Sequence, residues 1–138
     1  MSWSEIFEAR CSEEALPELR RRVQERLRQG GAGEGLVARA GLLLSELAHN
    51  AVAASRRPEP LRVTVGMDEG GVHLSVECAA NEDLEALQLA LDASGVLPSP
   101  ESERGRGLWL VLEGSRDLQV ERTASGGVRV RLRVKEEA

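Results

Sequence analysis

The chain has 138 residues, 41% of them hydrophobic and 30% charged, and carries a formal net charge of −5. That length suits one domain, residues 1–138, with a core that needs neither disulfides nor metal. The acidic balance excludes a dedicated nucleic-acid binder, which requires a broad basic face.

Three aromatic residues (Trp3, Phe7 and Trp109) leave the core to Leu, Val and Ala. Cys11 and Cys78 lack metal or redox spacing and read as reduced thiols. No apolar run approaches a membrane span, and no basic start precedes an apolar stretch at the N-terminus, so a cytoplasmic protein without membrane contact is expected.

In chain order, "SWSEIFEAR" alternates roughly and reads as a short strand, with Trp3 and either Ile6 or Phe7 as its apolar points. Leu16, Leu19, Val23 and Leu27 then recur at helical spacing. Glu13 and Glu14 suit the positive end of that helix, and Pro17 is tolerated only in its first turn. Its Arg20-Arg21-Arg22 cluster reads as a solvated face, and the glycines of "QGGAGEG" end it.

A second helix is expected from Leu36 to about Arg56, with a stripe formed by Leu36, Ala40, Leu43, Leu44, Leu47 and Ala51. The prolines of "RRPEP" stop it. "LRVTVGMD" and "GVHLSVEC", joined through Glu69-Gly70-Gly71, give a hairpin signal. "AANEDLEALQLALDASG" suggests a short helix ending near Gly95, and "VLPSPESERGRG" a Pro- and Ser-rich connection.

"GLWLVLEG" predicts a third helical piece burying Leu108, Val111 and Leu112. "DLQVERT" and "GVRVRLRV" form a second hairpin around Ser125-Gly126-Gly127. Val128, Val130, Leu132 and Val134 face one way and Arg129, Arg131 and Arg133 the other, so one side of this strand is core and the other wet. Hairpins exclude an all-parallel sheet. The simplest arrangement is an α+β, two-layer sandwich: a mixed or antiparallel sheet with helices on one face.

Two features go beyond packing. Glu46 and Asn50, in "SELAHNAVAAS", are four residues apart and share a helix side that borders the apolar stripe. Such a pair is also common as a plain boundary feature, with Glu46 solvated and Asn50 bonded locally. In "GRGLWLV", Gly105 and Gly107 enter a helix, where backbone N–H groups and the helix dipole favour a phosphate. Arg104 and Arg106 add positive charge, although a hinge before a helix start has the same composition.

Together, "ELAHNA" on the second helix and "GRGL" before a later one resemble the histidine-kinase-like (GHKL) ATPase superfamily, from about Phe7 to Val134. The resemblance is closest to the small anti-sigma-factor serine kinases. It implies that Asn50 ligates the Mg²⁺ bridging the nucleotide phosphates. Glu46 would be the catalytic general base, accepting a proton from the attacking hydroxyl or water. The stretch Gly105, Arg106, Gly107 and Leu108 would pack against the phosphates, and residues Asp83 to Arg104 would form the nucleotide lid. Mg²⁺ takes oxygen ligands and keeps several waters, and phosphoryl transfer rests mainly on positioning and charge neutralisation.

The first glycine box departs from the family. Its pattern is Asp-x-Gly-x-Gly after the strand matching "VHLSVEC", the Asp reading the adenine amino group. Here Cys78 stands at the Asp position, Ala80 at the first Gly and Glu82 at the second. A thiol is a poor acceptor, and the β-carbon of Ala80 crowds the base. "VAAS" also lacks the basic or histidine residue that often follows the Asn-Ala pair.

The expectation is therefore a regulatory protein of the anti-sigma-factor type that docks to a protein partner, with Mg-ATP binding weakened or lost. The alternative is an active Mg-ATP-dependent serine kinase. A sigma factor or an antagonist with a phosphorylatable serine is the implied partner, with no direct nucleic acid. A homodimer is compatible, with Trp3 and Phe7 as its candidate contacts.

Overall fold

The computed structural model describes residues 2–54, 59–78 and 110–136. Strand β1 (Trp3–Ala9) leads through a 3-10 turn (Glu13–Ala15) into helices α1 (Leu16–Gln29) and α2 (Glu34–Ala54). Strands β2 (Leu61–Asp68), β3 (Gly71–Cys78), β4 (Ser115–Arg122) and β5 (Val128–Val134) follow. The sheet order is β1-β2-β3-β5-β4, and every neighbouring pair is antiparallel. Both expected hairpins are present, and β5 joins them by pairing with β3. Among the described residues the sheet is wholly antiparallel, with α1 and α2 packed on one face, as the α+β two-layer arrangement requires. No described helix is long and apolar enough to cross a membrane.

Helix α1 buries Leu16, Leu19, Val23 and Leu27, the stripe read from spacing. Each such side chain contributes about 1.5–3 kcal/mol, whereas its exposed Glu18–Arg21 pair at 2.6 Å is screened by water and adds little. The stripe therefore holds the helix. Its end is a Schellman turn: Ala32 N donates to Leu27 O at 3.0 Å and Gly31 N to Arg28 O at 3.0 Å, with Gly31 at φ 94°.

Helix α2 begins two residues before the expected Leu36 and takes Gly35 inside it. Glu34 places a carboxylate at the positive end of the helix and binds Arg28 at 2.8 Å. Gly35 falls in the first turn of the helix, beside this favourable start. The predicted extension of α2 to Arg56 lies outside the described residues beyond Ala54. So do the short helix ending near Gly95, the Pro- and Ser-rich connection, and residues up to 109. Of the third helical piece, 110–114 are helical, with Val111 buried and Leu112 half-buried.

Inward residues of the strands, including Val63, Val65, Val72, Leu74, Val130 and Leu132, meet Val37, Ala40, Leu44 and Leu47 in one core. The opposite sheet face is polar, and its charges are ordered. Glu8, Arg62, Glu77, Arg129 and Glu121 stand in one row across all five strands, each opposite the next in the pairing register. Arg62 binds Glu8 at 3.0 Å, and Arg129 binds both Glu77 and Glu121. The wet face expected for Arg129, Arg131 and Arg133 is thus a network of ion pairs.

Strand β1 corrects one expectation. Phe7 is only 5% exposed and belongs to the core, so it is unavailable as a dimer contact. Trp3 is half-buried beneath Arg26, whose guanidinium carbon lies 3.8 Å from its ring centre. The alternation of this strand points Trp3, Glu5 and Phe7 toward α1, and Ser4, Ile6 and Glu8 outward. Ile6, at 60% exposure, is the outward apolar residue.

Candidate functional site

Helix α2 is a hydrophobic rod with two different borders. At about 100° per residue, Gly41, Ser45 and Ala48 turn toward α1. There Ser45 Oγ accepts a hydrogen bond from Arg20 Nη1 at 3.1 Å. The missing side chain of Gly41 leaves room for Gln24 and Arg20. Arg20 is accordingly half-buried, and only Arg21 and Arg22 of the arginine cluster form the expected solvated face.

Glu46 and Asn50 lie on the other border, away from α1, with Leu43 beside them. Both are half-buried. Glu46 has no hydrogen-bond or ion-pair partner among the described residues. A β-carbon on Gly114 would come 3.0 Å from Leu43 Cδ2, so the helical residues 110–114 run along this same border. Of the two features singled out in the sequence, the structure describes this one. Gly105, Arg106, Gly107 and Leu108 fall outside the described residues, as do Ala80, Glu82 and the lid stretch from Asp83 to Arg104.

Two ties fix where α2 lies along the sheet. Near its start, Arg39 Nη1 donates to the carbonyl of Lys135, just past the end of β5. Near its end, His49 Nδ1 lies 2.6 Å from Glu13 Oε2, in the turn that follows β1. The end of β1 pairs Ala9 with Leu61 and Glu8 with Arg62, and Arg62 in turn faces Glu77. Asn50, next to His49, therefore sits at the Cys78 end of the sandwich. These ties escaped the sequence reading because each joins residues remote in the chain; the histidine preceding Asn50 was their only local sign.

Cys78 closes β3 with its side chain in the core-facing row of Val72, Leu74 and Val76, and is 8% exposed. It pairs with Val128, and its carbonyl oxygen lies too close to where a β-carbon on Gly127 would stand for one to fit. The two chains approach closely there because position 127 has no side chain. Thr123 helps shape the neighbouring turn, its Oγ1 accepting from Gly127 N at 2.9 Å.

This end of the molecule therefore presents a carboxamide and a carboxylate on one helix border, and a buried thiol across the sheet. Oxygen donors such as Glu46 and Asn50 are the type that hard cations take, while a thiol accepts hydrogen bonds weakly. Among the described residues no cluster of three or more His, Cys, Asp or Glu side chains forms a metal site.

Comparison with known proteins identifies the family of this fold. Among curated proteins no relative matches the sequence. Solved structures share the fold, two of them as follows. One, the RsbU and RsbW domains of Rv1364c from Mycobacterium tuberculosis, superposes with a TM-score of 0.68 at 18% identity. The match covers 99% of this chain and 34% of that one, so the present chain spans about a third of that longer protein. The other, from the SiaB-SiaC complex of Pseudomonas aeruginosa, gives a TM-score of 0.65 at 17% identity, covering 94% of this chain and 88% of that one. A profile of the histidine kinase-like ATPase domain matches residues 8–134, nearly the full length and inclusive of both α2 and the Cys78 strand end. The chain belongs to the histidine kinase-like ATPase family.

Proposed function

We propose that this chain is a cytoplasmic regulatory protein of the anti-sigma-factor type that acts by docking to a protein partner, with nucleotide binding weakened or lost. The observation that carries the reading is the burial of Cys78, at the position where the family's adenine-reading carboxylate would stand. A carboxylate accepts strongly from an amino group and a thiol does so poorly. Losing one such bond costs about 1–3 kcal/mol, or roughly ten- to a hundredfold in affinity. Ala80 and Glu82 in place of the two glycines add crowding and negative charge.

The phosphate side of the site fits better than the adenine side. Asn50 would supply one oxygen to Mg²⁺, and Glu46 would lie beside it. Because the adenine side does not fit, no phosphoryl-transfer step is assigned to these residues. Support for a protein partner comes from the fold's company: one similar chain was solved in the SiaB-SiaC complex, the other alongside an RsbU domain. A sigma factor, or an antagonist carrying a phosphorylatable serine, is the partner this reading implies.

The second reading is a working Mg-ATP-dependent serine kinase. It is favoured by Glu46, a half-buried carboxylate with no partner among the described residues, as a general base awaiting substrate would be. Calorimetric titration with Mg-ATP and Mg-ADP separates the two, with Asn50→Ala as control. Absence of binding at millimolar nucleotide is expected. Micromolar binding that Asn50→Ala abolishes overturns the docking-only reading and makes Glu46 the base.

A further inference from the structure

The solvent-facing surfaces of the sandwich are finished in different ways. The outer sheet face is a network of ion pairs. The β4 edge is blunted by a bulge, where the pairing register shifts between Arg116 and Gln119 and Asp117 takes a left-handed conformation with φ 56°. Helix α1 exposes charge along its length, through Glu18, Arg21, Arg22, Glu25 and Arg28. Helix α2 does not. Among the described residues its exposed positions after Glu34 are Gly35, Ala38, Leu42, His49 and Ala53, and none carries a carboxylate, lysine or arginine.

At about 100° and 1.5 Å per residue, these five positions form one stripe about 60° wide and about 27 Å long. Leu42, 37% exposed, stands near its middle and is one of two exposed large hydrophobic residues among those described. The charged outer face of a surface helix is missing here, and an uncharged apolar stripe on a solvated side marks an interaction surface. Given the docking role proposed above, on which the inference rests, the geometry points to this face of α2 as the seat of an amphipathic helix from the partner protein. That helix carries acidic residues along the flank that lies over α1.

Shape and charge select that occupant. The small residues Gly35, Ala38 and Ser45 let a second helix approach closely and interlock around Leu42. The α1 side of the stripe is a basic rim. Arg28 binds Glu34 at 2.8 Å at the start of α2, and Arg20 reaches Ser45 at 3.1 Å farther along, with Arg21 exposed beside it. The carboxylates held there, Glu18 on Arg21 and Glu34 on Arg28, are exposed and screened, so they yield readily to acids on an arriving helix. On the opposite side stands Glu46, half-buried and four residues beyond Leu42. It has no partner among the described residues and takes a basic residue of the occupant.

The probe is a synthetic helix of about 18 residues, the length of the stripe at 1.5 Å per residue, with leucine and alanine along its seam, glutamate on one flank and lysine on the other. Fluorescence anisotropy against the full chain is expected to show saturable binding. Leu42→Lys and Ala38→Lys each weaken it at least about tenfold, with unchanged circular dichroism spectra. A second probe with lysine on both flanks binds at least about tenfold more weakly than the first, and Arg21→Glu combined with Arg28→Glu reverses that order. No binding, binding blind to both stripe variants, or equal binding of the two probes overturns the assignment. Sedimentation showing self-association that Leu42→Lys abolishes overturns it as well, by giving the face to a second copy. Micromolar Mg-ATP binding in the titration above overturns the docking-only role instead and leaves the probe results standing, so the two failures are told apart.

Discussion

His49 Nδ1 lies 2.6 Å from Glu13 Oε2, fastening the end of α2 to the turn that follows β1. Both side chains are about half exposed, so the tie contributes little stability and mainly aligns the helix. His49→Ala is expected to lower unfolding stability by less than about 1 kcal/mol, as read by urea denaturation. A larger loss would mean that this end of α2 depends on the tie for its packing.

The close approach of Gly127 to the Cys78 carbonyl predicts an asymmetric response in the β4–β5 turn. Gly127→Ala drives a methyl group into backbone that cannot swing aside, at a cost of about 1–3 kcal/mol. Ser125→Ala, two residues away and exposed, stays within about 0.5 kcal/mol of the parent. Equal effects in the two variants would contradict the packing.

Restoring the first glycine box tests the proposed cause of weak nucleotide binding. The triple variant Cys78→Asp, Ala80→Gly, Glu82→Gly is expected to bind Mg-ATP at least about tenfold more tightly than the parent. Calorimetry reads the gain, and Asn50→Ala in the same background removes it. Without nucleotide, the triple variant melts below the parent, because a carboxyl replaces a buried thiol. Failure to gain affinity would mean that position 78 does not read the base.

A pH effect is expected from the outer sheet face. Burial pushes the His73 imidazole below its ordinary value of 6.5, and Arg133 adds to this, while Asp68 opposes it. The folded state thus holds fewer protons than the unfolded chain as pH falls below about 7. Stability from His73 is complete above the unfolded value and is lost as pH falls through the lowered folded one. Melting temperature should decline between pH 7 and 5, and His73→Gln should flatten that decline. Asp68, held below its ordinary value by the Arg133 hydrogen bond and by Gly70 N, acts in the same direction at lower pH, below 3.8.

Elements set by local pattern were legible in the sequence. The stripe of α1, the glycine stop after it, both hairpins and the two-faced β5 follow from periodicity and turn chemistry within a few residues. What depends on remote pairing was not. Nothing near Phe7 decides whether it or Ile6 points inward; pairing with β2 and the cover of α1 decide that. The placement of β5 between β3 and β4 is likewise a property of the assembled sheet. Of the site, the Glu46–Asn50 border was readable because four residues make about one helical turn. That it lies at the Cys78 end required Arg39, His49 and their distant partners.

The bulge at Asp117 also limits how far this sheet can grow. A chain adding at β4 meets a broken ladder there, so the fold guards this side of the sheet against fibre growth.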